Sequence, residues 1–278
     1  YIILFIALIA YLWISMMRKK ERQLREKQEK EQLHQEEKLN QLKYRFITNV
    51  SHELRTPLTL IVTPLEHLLR TLTDESVKKQ LKVVVQGAFE LREMINQLLD
   101  FRRIEMKGEK FNPTYNDISV YLQSVHSGFM QLAEERGIVF NLNRQQLMLN
   151  MWYDKEKMQK ILNNLLSNAF KFTPEGGVID LRQSVGIMPG EEQVKALCVE
   201  VLDTGCGIPY GDQPHIFERF YQGDNQGNTT GSGVGLHLTM EYVKMHGGIV
   251  RVESEPGKGS HFTVWIPLRE YGEEIVET

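Results

Sequence analysis

Seven apolar residues between Phe46 and Leu69, namely Phe46, Val50, Leu54, Leu58, Ile61, Leu65 and Leu68, recur at steps of four, four, four, three, four and three. Only an α-helix brings residues at such steps onto one face, so the stretch predicts an amphipathic helix with this stripe against a partner element. His52 stands off the stripe: at about 100° per residue it lies roughly 200° from both Val50 and Leu54. The imidazole is therefore expected on the solvent side, with Glu53 beside it and Thr56 one turn further on. A neutral imidazole with one nitrogen held protonated by a carboxylate can attack through the other, which makes His52 a candidate nucleophile and Glu53 its partner. Taken singly, His52 also reads as a surface histidine on a bundle helix. Pro57 removes a backbone donor and loosens the helix just beyond it.

A helix with one apolar face needs something to cover it. After Asp74 and Ser76, turn and cap candidates, a second helix is predicted to about Met106, with Val77, Leu81, Val84, Ala88, Leu91, Ile95 and Leu98 at three-four spacing. Two antiparallel helices bury one face poorly, so a homodimer forming a four-helix bundle is expected. Upstream, Tyr1 to Met17 carries no charge and is followed by Arg18, Lys19 and Lys20. That pattern predicts the end of a transmembrane helix with its basic flank in the cytoplasm. The charged stretch Arg18 to Lys43, with sparse leucines at Leu24, Leu33, Leu39 and Leu42, reads as a solvated helix or a charged linker. A net charge of −3 gives no electrostatic case for nucleic-acid binding. Two cysteines, Cys198 and Cys206, are too few for a disulfide framework and suit a reducing compartment.

Lys107 to Pro113 breaks the helical pattern, and beyond it the chain alternates helix and strand. Helices are expected near Asp117–Arg136, from Lys155 behind an Asp154 cap, and after Gly233; strands are expected near Ile138–Asn143, Leu147–Trp152, Val178–Val185 and Val194–Leu202. A hairpin of Ile249–Glu253 with His261–Pro267 closes the series. This order predicts a two-layer α/β sandwich on a mixed, mostly antiparallel sheet. The helix after Asp154 has its stripe at Met158, Ile161, Leu165, Ala169 and Phe172, with Asn164, Asn168 and Lys171 along one edge. Amide oxygens are hard ligands suited to Mg²⁺, and a lysine is a point charge for phosphate. Asp203 ends a strand and is followed by Gly205 and Gly207, so a carboxylate acceptor stands where the backbone can approach a flat base. From Tyr210 to Ser232 the chain is polar and Gly-rich, anchored by Ile216, Phe217 and Phe220, the anatomy of a lid. Gly231, Gly233 and Gly235 then lead into a helix whose open N–H groups attract phosphate.

In order along the chain, SHELRTPLT, the segment around Asn164–Lys171, LDTGCGIP, HIFERFY and GSGVGLHL resemble the H, N, G1, F and G2 boxes of sensor histidine kinases. The resemblance covers nearly the whole chain. It implies a helical dimerisation domain followed by a GHKL-type ATPase sandwich, with ATP phosphorylating His52 and Glu53 handling the second ring proton. It also implies transfer of the phosphoryl group to an aspartate of a response-regulator receiver, and it assigns Mg²⁺ to Asn168, the triphosphate to Asn164 and Lys171, and the adenine amino group to Asp203. Gly205, Gly207, Phe220, Gly231, Gly233, Gly235 and Leu236 complete the implied nucleotide site. The HExxT wording implies that Thr56 orients water for a phosphatase reaction. The layout expected on this basis is a membrane-helix end over 1–17, a signalling helix over 18–43 and a dimerisation and phosphotransfer domain over 44–107. A catalytic domain over 111–268 and a linker over 269–278 follow, at the inner membrane. The wording of the H-box is also similar to that of hybrid sensors, which carry a receiver in the same chain. Gln222 departs from the pattern, since a basic residue commonly follows the F-box Phe-Tyr; Arg219 is the candidate substitute. A clamp ATPase of the gyrase type would place a glutamate where Asn164 stands, and an ATP-gated scaffold without transfer would leave His52 unlabelled.

Overall fold

The computed structural model describes residues 13, 16–20, 27, 30, 59–69, 71, 74–106, 108–191, 193–223 and 232–268. His52, Glu53, Thr56 and Gly231 lie outside the described residues, as do residues 269–278 and most of the two stretches 1–17 and 18–43. Among the described residues no helix is long and apolar enough to cross a membrane. The chain divides into two compact units, Tyr1–Ile95 and Asn96–Thr278.

In the first unit residues 59–69 are helical, and a second helix, α1 (Glu75–Glu105), begins there and ends in the second unit. Asp74 caps α1: its Oδ1 accepts from the N–H groups of Ser76 at 2.9 Å and Val77 at 3.3 Å, so Ser76 is a capped residue rather than the cap. The expected stripe is only half covered within one chain, for Leu81, Ala88 and Ile95 are partly buried whereas Val77, Val84, Leu91 and Leu98 are exposed. Ile61 and Leu68 are exposed too, while Val62, one place off the predicted stripe, is buried.

The second unit is the α/β sandwich. Its elements after α1 are β1 (Thr114–Asp117), α2 (Ile118–Arg136), β2 (Val139–Arg144), β3 (Asn150–Tyr153), α3 (Lys155–Phe172) and β4 (Val178–Ile187). These are followed by β5 (Lys195–Asp203), α4 (Gly235–Met245), β6 (Ile249–Glu255) and β7 (Gly259–Pro267). A five-stranded sheet has the order β2-β4-β5-β7-β6, parallel between β2 and β4 and antiparallel elsewhere. The mixed, mostly antiparallel sheet expected from the pattern is thus present. Strand alternation decides which face is covered: Leu197, Val199 and Val201 of β5 and Phe262, Val264 and Ile266 of β7 join Ile161, Leu165, Leu238 and Tyr242 of the helices in one core. The intervening Glu200 and His261 point the other way and bond each other at 2.8 Å.

Three details differ from the sequence pattern. β1 is a strand that four residues of TYND did not announce, and it pairs antiparallel with β3. β3 begins at Asn150 rather than Leu147, because Leu147 and Met148 are largely exposed in the connection after β2. In α3 it is Phe170, with Leu162 and Leu166, that enters the core, and Phe172 is only partly buried. α3 is covered on more sides than a surface helix would be, so its apolar arc is wider than the stripe predicted.

The start of α3 is fixed by a buried polar knot. Asp154 is 3% exposed; its Oδ1 caps α3 through the N–H groups of Glu156 and Lys157, and its Oδ2 takes the Asn112 N–H at 2.8 Å and the Lys157 ammonium at 3.2 Å. Burial works to raise this carboxyl's pKa, but the Asn112 and Lys157 N–H groups and the Lys157 ammonium outweigh it and hold it below the usual carboxylate range. His246 closes the knot from the end of α4: Nδ1–H donates to the Tyr242 carbonyl at 2.7 Å, and Nε2 accepts the Asp154 N–H at 3.1 Å. That pair of bonds requires the neutral ring, and burial above all pushes the His246 pKa down. An unfolded chain takes up a proton at His246 below about pH 6.5 that the folded chain refuses, so this stability is full above that pH and is lost as pH falls. Asp154 acts in the same direction at lower pH. His246→Ala is expected to cost about 1–3 kcal/mol, since it leaves the buried Asp154 N–H without its acceptor, while the Tyr242 carbonyl keeps the backbone N–H of residue 246. Thermal denaturation at pH 7 and pH 5 should also show a shallower loss of melting temperature in the variant than in the wild type; equal slopes would remove His246 from this role.

Candidate functional site

The end of β5 carries a carboxylate held by the backbone. Asp203 Oδ1 accepts from the N–H of Gly205 at 2.8 Å and from that of Ser260, its register partner on β7, at 3.3 Å. Burial raises the Asp203 pKa, and these two bonds only partly offset it. The glycines around Asp203 are there for contact between backbones. A Cβ on Gly259 would stand 1.8 Å from the Asp203 carbonyl oxygen, and one on Gly207 (φ 69°) would stand 2.2 Å from that of Glu255. The loop after β5 is therefore pressed onto the β6–β7 turn, an arrangement sealed by Gly257 N–H donating to the Cys206 carbonyl at 2.7 Å. Gly205 is confined by the Phe172 carbonyl oxygen, 2.6 Å from where its Cβ would be.

Across from this loop, α3 presents Asn164, Asn168 and Lys171 to the same cavity. Asn164 is locked: its Nδ2 donates to Thr239 Oγ1 at 2.7 Å, and Thr239 Oγ1 donates to the Gly235 carbonyl at 3.1 Å. Gly235 must lack a side chain, because a Cβ would lie 2.3 Å from Asn164 Oδ1. The start of α4 is thereby held against α3 at its amide edge. No side chain caps α4 in the usual way, so the N–H groups of its first turn remain available to an anion.

The two ends of the segment between α4 and the β5 loop clasp each other. Phe220, at φ 61°, donates its N–H to the Gly233 carbonyl at 2.9 Å, and a Cβ on Gly233 (φ 68°) would meet the Phe220 backbone at 2.7 Å. A non-glycine residue in the left-handed region is strained by about 1–3 kcal/mol and is retained only when its surroundings fix it. Here the fixing contact is aromatic, since the Phe220 ring stands edge-on to Phe101 at 5.5 Å. Behind it, His237 Nδ1 bonds the Phe217 carbonyl at 3.1 Å.

These elements enclose a cavity of about 510 Å³, within the range of small-molecule sites. Of the residues singled out from sequence, Asn164, Asn168, Lys171, Asp203, Gly207, Gly233, Gly235 and Leu236 line it. Gly205 supports it through Asp203, whereas Phe220 packs on Phe101 outside the lining. Arg219 is not turned to the cavity as a substitute for a basic residue at 222: Glu105 takes its guanidinium at 2.9 Å, and Phe101 lies under it at 5.4 Å. Gln222 does line the cavity, and among the described lining residues Lys171 is the one lysine or arginine. Sequence reasoning missed Asp212, whose Oδ1 accepts from the Tyr221 phenol hydroxyl at 2.8 Å, and Ile208, Tyr221 and Phe262 in the wall. For Ile208, Asp212 and Tyr221 the available signal was a place in or beside LDTGCGIP and FYQGD; Phe262, on β7, and Gln97, also in the wall, had none. A carboxylate acceptor, two amides, an ammonium and an open helix N-terminus around one cleft suit a ligand with a donor-bearing base at one end and anions at the other.

The chain matches the His Kinase A (phospho-acceptor) domain over residues 42–107, and the histidine kinase-, DNA gyrase B- and HSP90-like ATPase over residues 153–270. It is 38% identical over 237 residues to hybrid signal transduction histidine kinase D of Dictyostelium discoideum, covering 83% of this chain and 15% of that protein. It is 32% identical over 244 residues to the sensor histidine kinase WalK of Bacillus subtilis, covering 86% and 39% respectively. The structure of full-length ShkA in complex with AMPPNP superposes with a TM-score of 0.63 at 27% identity, over 80% of this chain and 45% of that one. The chain thus spans less than half the length of each of these relatives. With a helical phospho-acceptor region followed by an ATPase-type α/β sandwich, it belongs to the sensor histidine kinases, as a kinase core.

Proposed function

We infer that the chain binds ATP in the cavity between α3, α4 and the loop after β5, and phosphorylates its own His52. The observation that carries this reading is the convergence of Asp203, Asn164, Asn168, Lys171 and the start of α4 on one cleft, in a chain whose phospho-acceptor region matches a histidine kinase family. The AMPPNP bound to ShkA supports the choice of an adenine nucleotide. Asp203 accepts from the adenine amino group, with Phe262 and Ile208 among the apolar wall residues. Asn164 and Lys171 serve the phosphates, together with the N–H groups opening α4. Asn168 fits Mg²⁺, which is held by few protein oxygens and many waters; the ion would supply charge neutralisation on the phosphates. Neutral His52 attacks the γ-phosphorus of ATP in line, the bond from that phosphorus to the β–γ bridging oxygen breaks and ADP leaves, and Glu53 holds or takes the second ring proton. With Lys171 the lone lysine or arginine among the described lining residues, turnover is expected to be slow.

The phosphoryl group then passes to an aspartate of a receiver domain, in the same full-length protein or a separate one; the hybrid relative favours neither for this chain by itself. Thr56 orients water for the reverse, phosphatase reaction. Half-exposed Val77, Val84, Leu91 and Leu98 on α1 support pairing with a second copy. The proposed layout keeps the boundaries 1–17, 18–43, 44–107, 111–268 and 269–278. The uncharged run at 1–17 and its basic flank support reading the kinase core as lying on the cytoplasmic side of the inner membrane.

Incubation with γ-labelled ATP should give an acid-labile, base-stable label that His52→Gln abolishes while nucleotide binding persists; label retained in His52→Gln would refute the site. Because Asp203 must be ionised to accept and its pKa is raised, affinity for a non-hydrolysable ATP analogue should fall on acidification at a pH above the ordinary carboxylate range of about 4. Asp203→Asn keeps an oxygen for the Gly205 N–H but turns a donor to the base, so binding should weaken by about 10–100-fold and lose that pH dependence. Calorimetry across pH 4–7 checks both, and an unchanged Asn variant would count against the assignment. Thr56→Ala should leave labelling of His52 intact and slow dephosphorylation of a phosphorylated receiver; an unaltered rate would remove Thr56 from the reaction.

A further inference from the structure

The last turns of α1 belong to the second unit and are bound to it along their length. Asp100 pairs with Lys160 of α3 at 2.8 Å, Glu105 pairs with Arg219 at 2.9 Å, and the buried ring of Phe101 meets Phe220 and His237 edge-on at 5.5 and 5.7 Å. One turn before Phe101, Gln97 reaches the wall of the nucleotide cavity, where its Oε1 accepts from Ser232 Oγ. Ser232 Oγ also accepts the Val234 N–H at 3.2 Å, so this hydroxyl ties Gln97 to the approach to α4. With Oε1 of the carboxamide on Ser232, its NH₂ group is the end left to donate. Ser232 directly precedes Gly233, and Gly233, Gly235 and Leu236 line the cavity where the N–H groups of α4 begin.

We propose that Gln97, carried by a helix of the phospho-acceptor region, is a ligand of the nucleotide's phosphate chain, donating from Nε2 to a phosphate oxygen while Oε1 keeps Ser232 in place. The inference rests on the nucleotide reading above and adds a residue to it from outside the ATPase motifs. It has an energetic corollary. A triphosphate binds more tightly when the end of α1 is docked, and by reciprocity it strengthens that docking, so nucleotide occupancy and the docking of residues 96–105 are linked quantities.

Calorimetric affinities of adenosine and of a non-hydrolysable ATP analogue with Mg²⁺, measured on the full chain, separate this role from a structural one. Gln97→Ala should weaken the ATP analogue by about tenfold, the loss of a hydrogen bond to a charged group. Gln97→Glu keeps an acceptor for Ser232 but sets a negative charge beside the phosphates, so it should weaken the analogue further while leaving adenosine within about twofold of wild type. If Gln97→Glu binds the analogue as tightly as wild type, Gln97 merely anchors Ser232 and the proposal is overturned. It is overturned equally if adenosine and the analogue weaken in parallel. A wild-type chain that binds neither ligand would instead defeat the nucleotide reading on which the proposal rests.

Discussion

The Asp203 carboxylate, held at the end of a central strand by the N–H groups of Gly205 and Ser260, is the contact from which the rest of the cleft takes its position. It exists because β5 and β7 pair through to their ends, with Asp203 opposite Ser260, and because Gly259 allows a backbone approach that any side chain would forbid. Two bonds on Oδ1 orient the carboxyl group without consuming its second oxygen. The same turn that supplies Ser260 also receives the Cys206–Gly207 loop, so the floor of the cleft is a backbone lattice rather than a set of adjustable side chains. Rigid placement of a partly buried acceptor discriminates among ligands, because a wrong partner that closes over it leaves the acceptor unpaired at a cost of about 1–3 kcal/mol.

Opposite that floor, the structure uses ion pairs and rings to decide where one helix ends and another domain begins. Asp100–Lys160, Glu105–Arg219 and the buried Lys157–Glu109 pair tie residues 100–109 to α3 and to the segment before Phe220. Lys157 is 2% exposed and also bonds Asp154, so its charge is matched on two sides; removing one partner of such a buried pair costs about 3–5 kcal/mol. The break in helical pattern at Lys107–Pro113 and the break between compact units at Ile95–Asn96 therefore fall in different places. Chain direction changes at the first, but packing has already changed allegiance at the second. Arg219 illustrates the consequence, for the cation that the motif offered to the phosphates is spent on Glu105.

Local periodicity made most of this fold legible. α3 was readable from three-four spacing and its Asp154 cap, α2 from Asp117, and the β6–β7 hairpin from PGKG, because each is set by residues close in sequence. The cavity residues on α3, β5 and the start of α4 were readable for the same reason, each sitting in a short motif. What stayed hidden depends on distant partners. Nothing in TYND signals a strand until Asn150–Tyr153 is beside it, and Phe172 looked like the core residue because the wider burial of Phe170 comes from α2 and β2. Phe220 is expected at the ligand and Arg219 is the candidate substitute for a basic residue at 222, yet their surroundings are fixed by Phe101 and Glu105, more than a hundred residues earlier.

On this account the cleft recognises adenine through one partly buried acceptor facing the exocyclic amino group. The most direct measurement is competition between ATP and inosine triphosphate, which differ at that group and carry the same phosphates. Inosine triphosphate should bind at least about tenfold more weakly, since its carbonyl meets the Asp203 carboxylate acceptor to acceptor. Equal affinity for the two would mean that Asp203 does not read the base, and the orientation assigned to the nucleotide would be wrong.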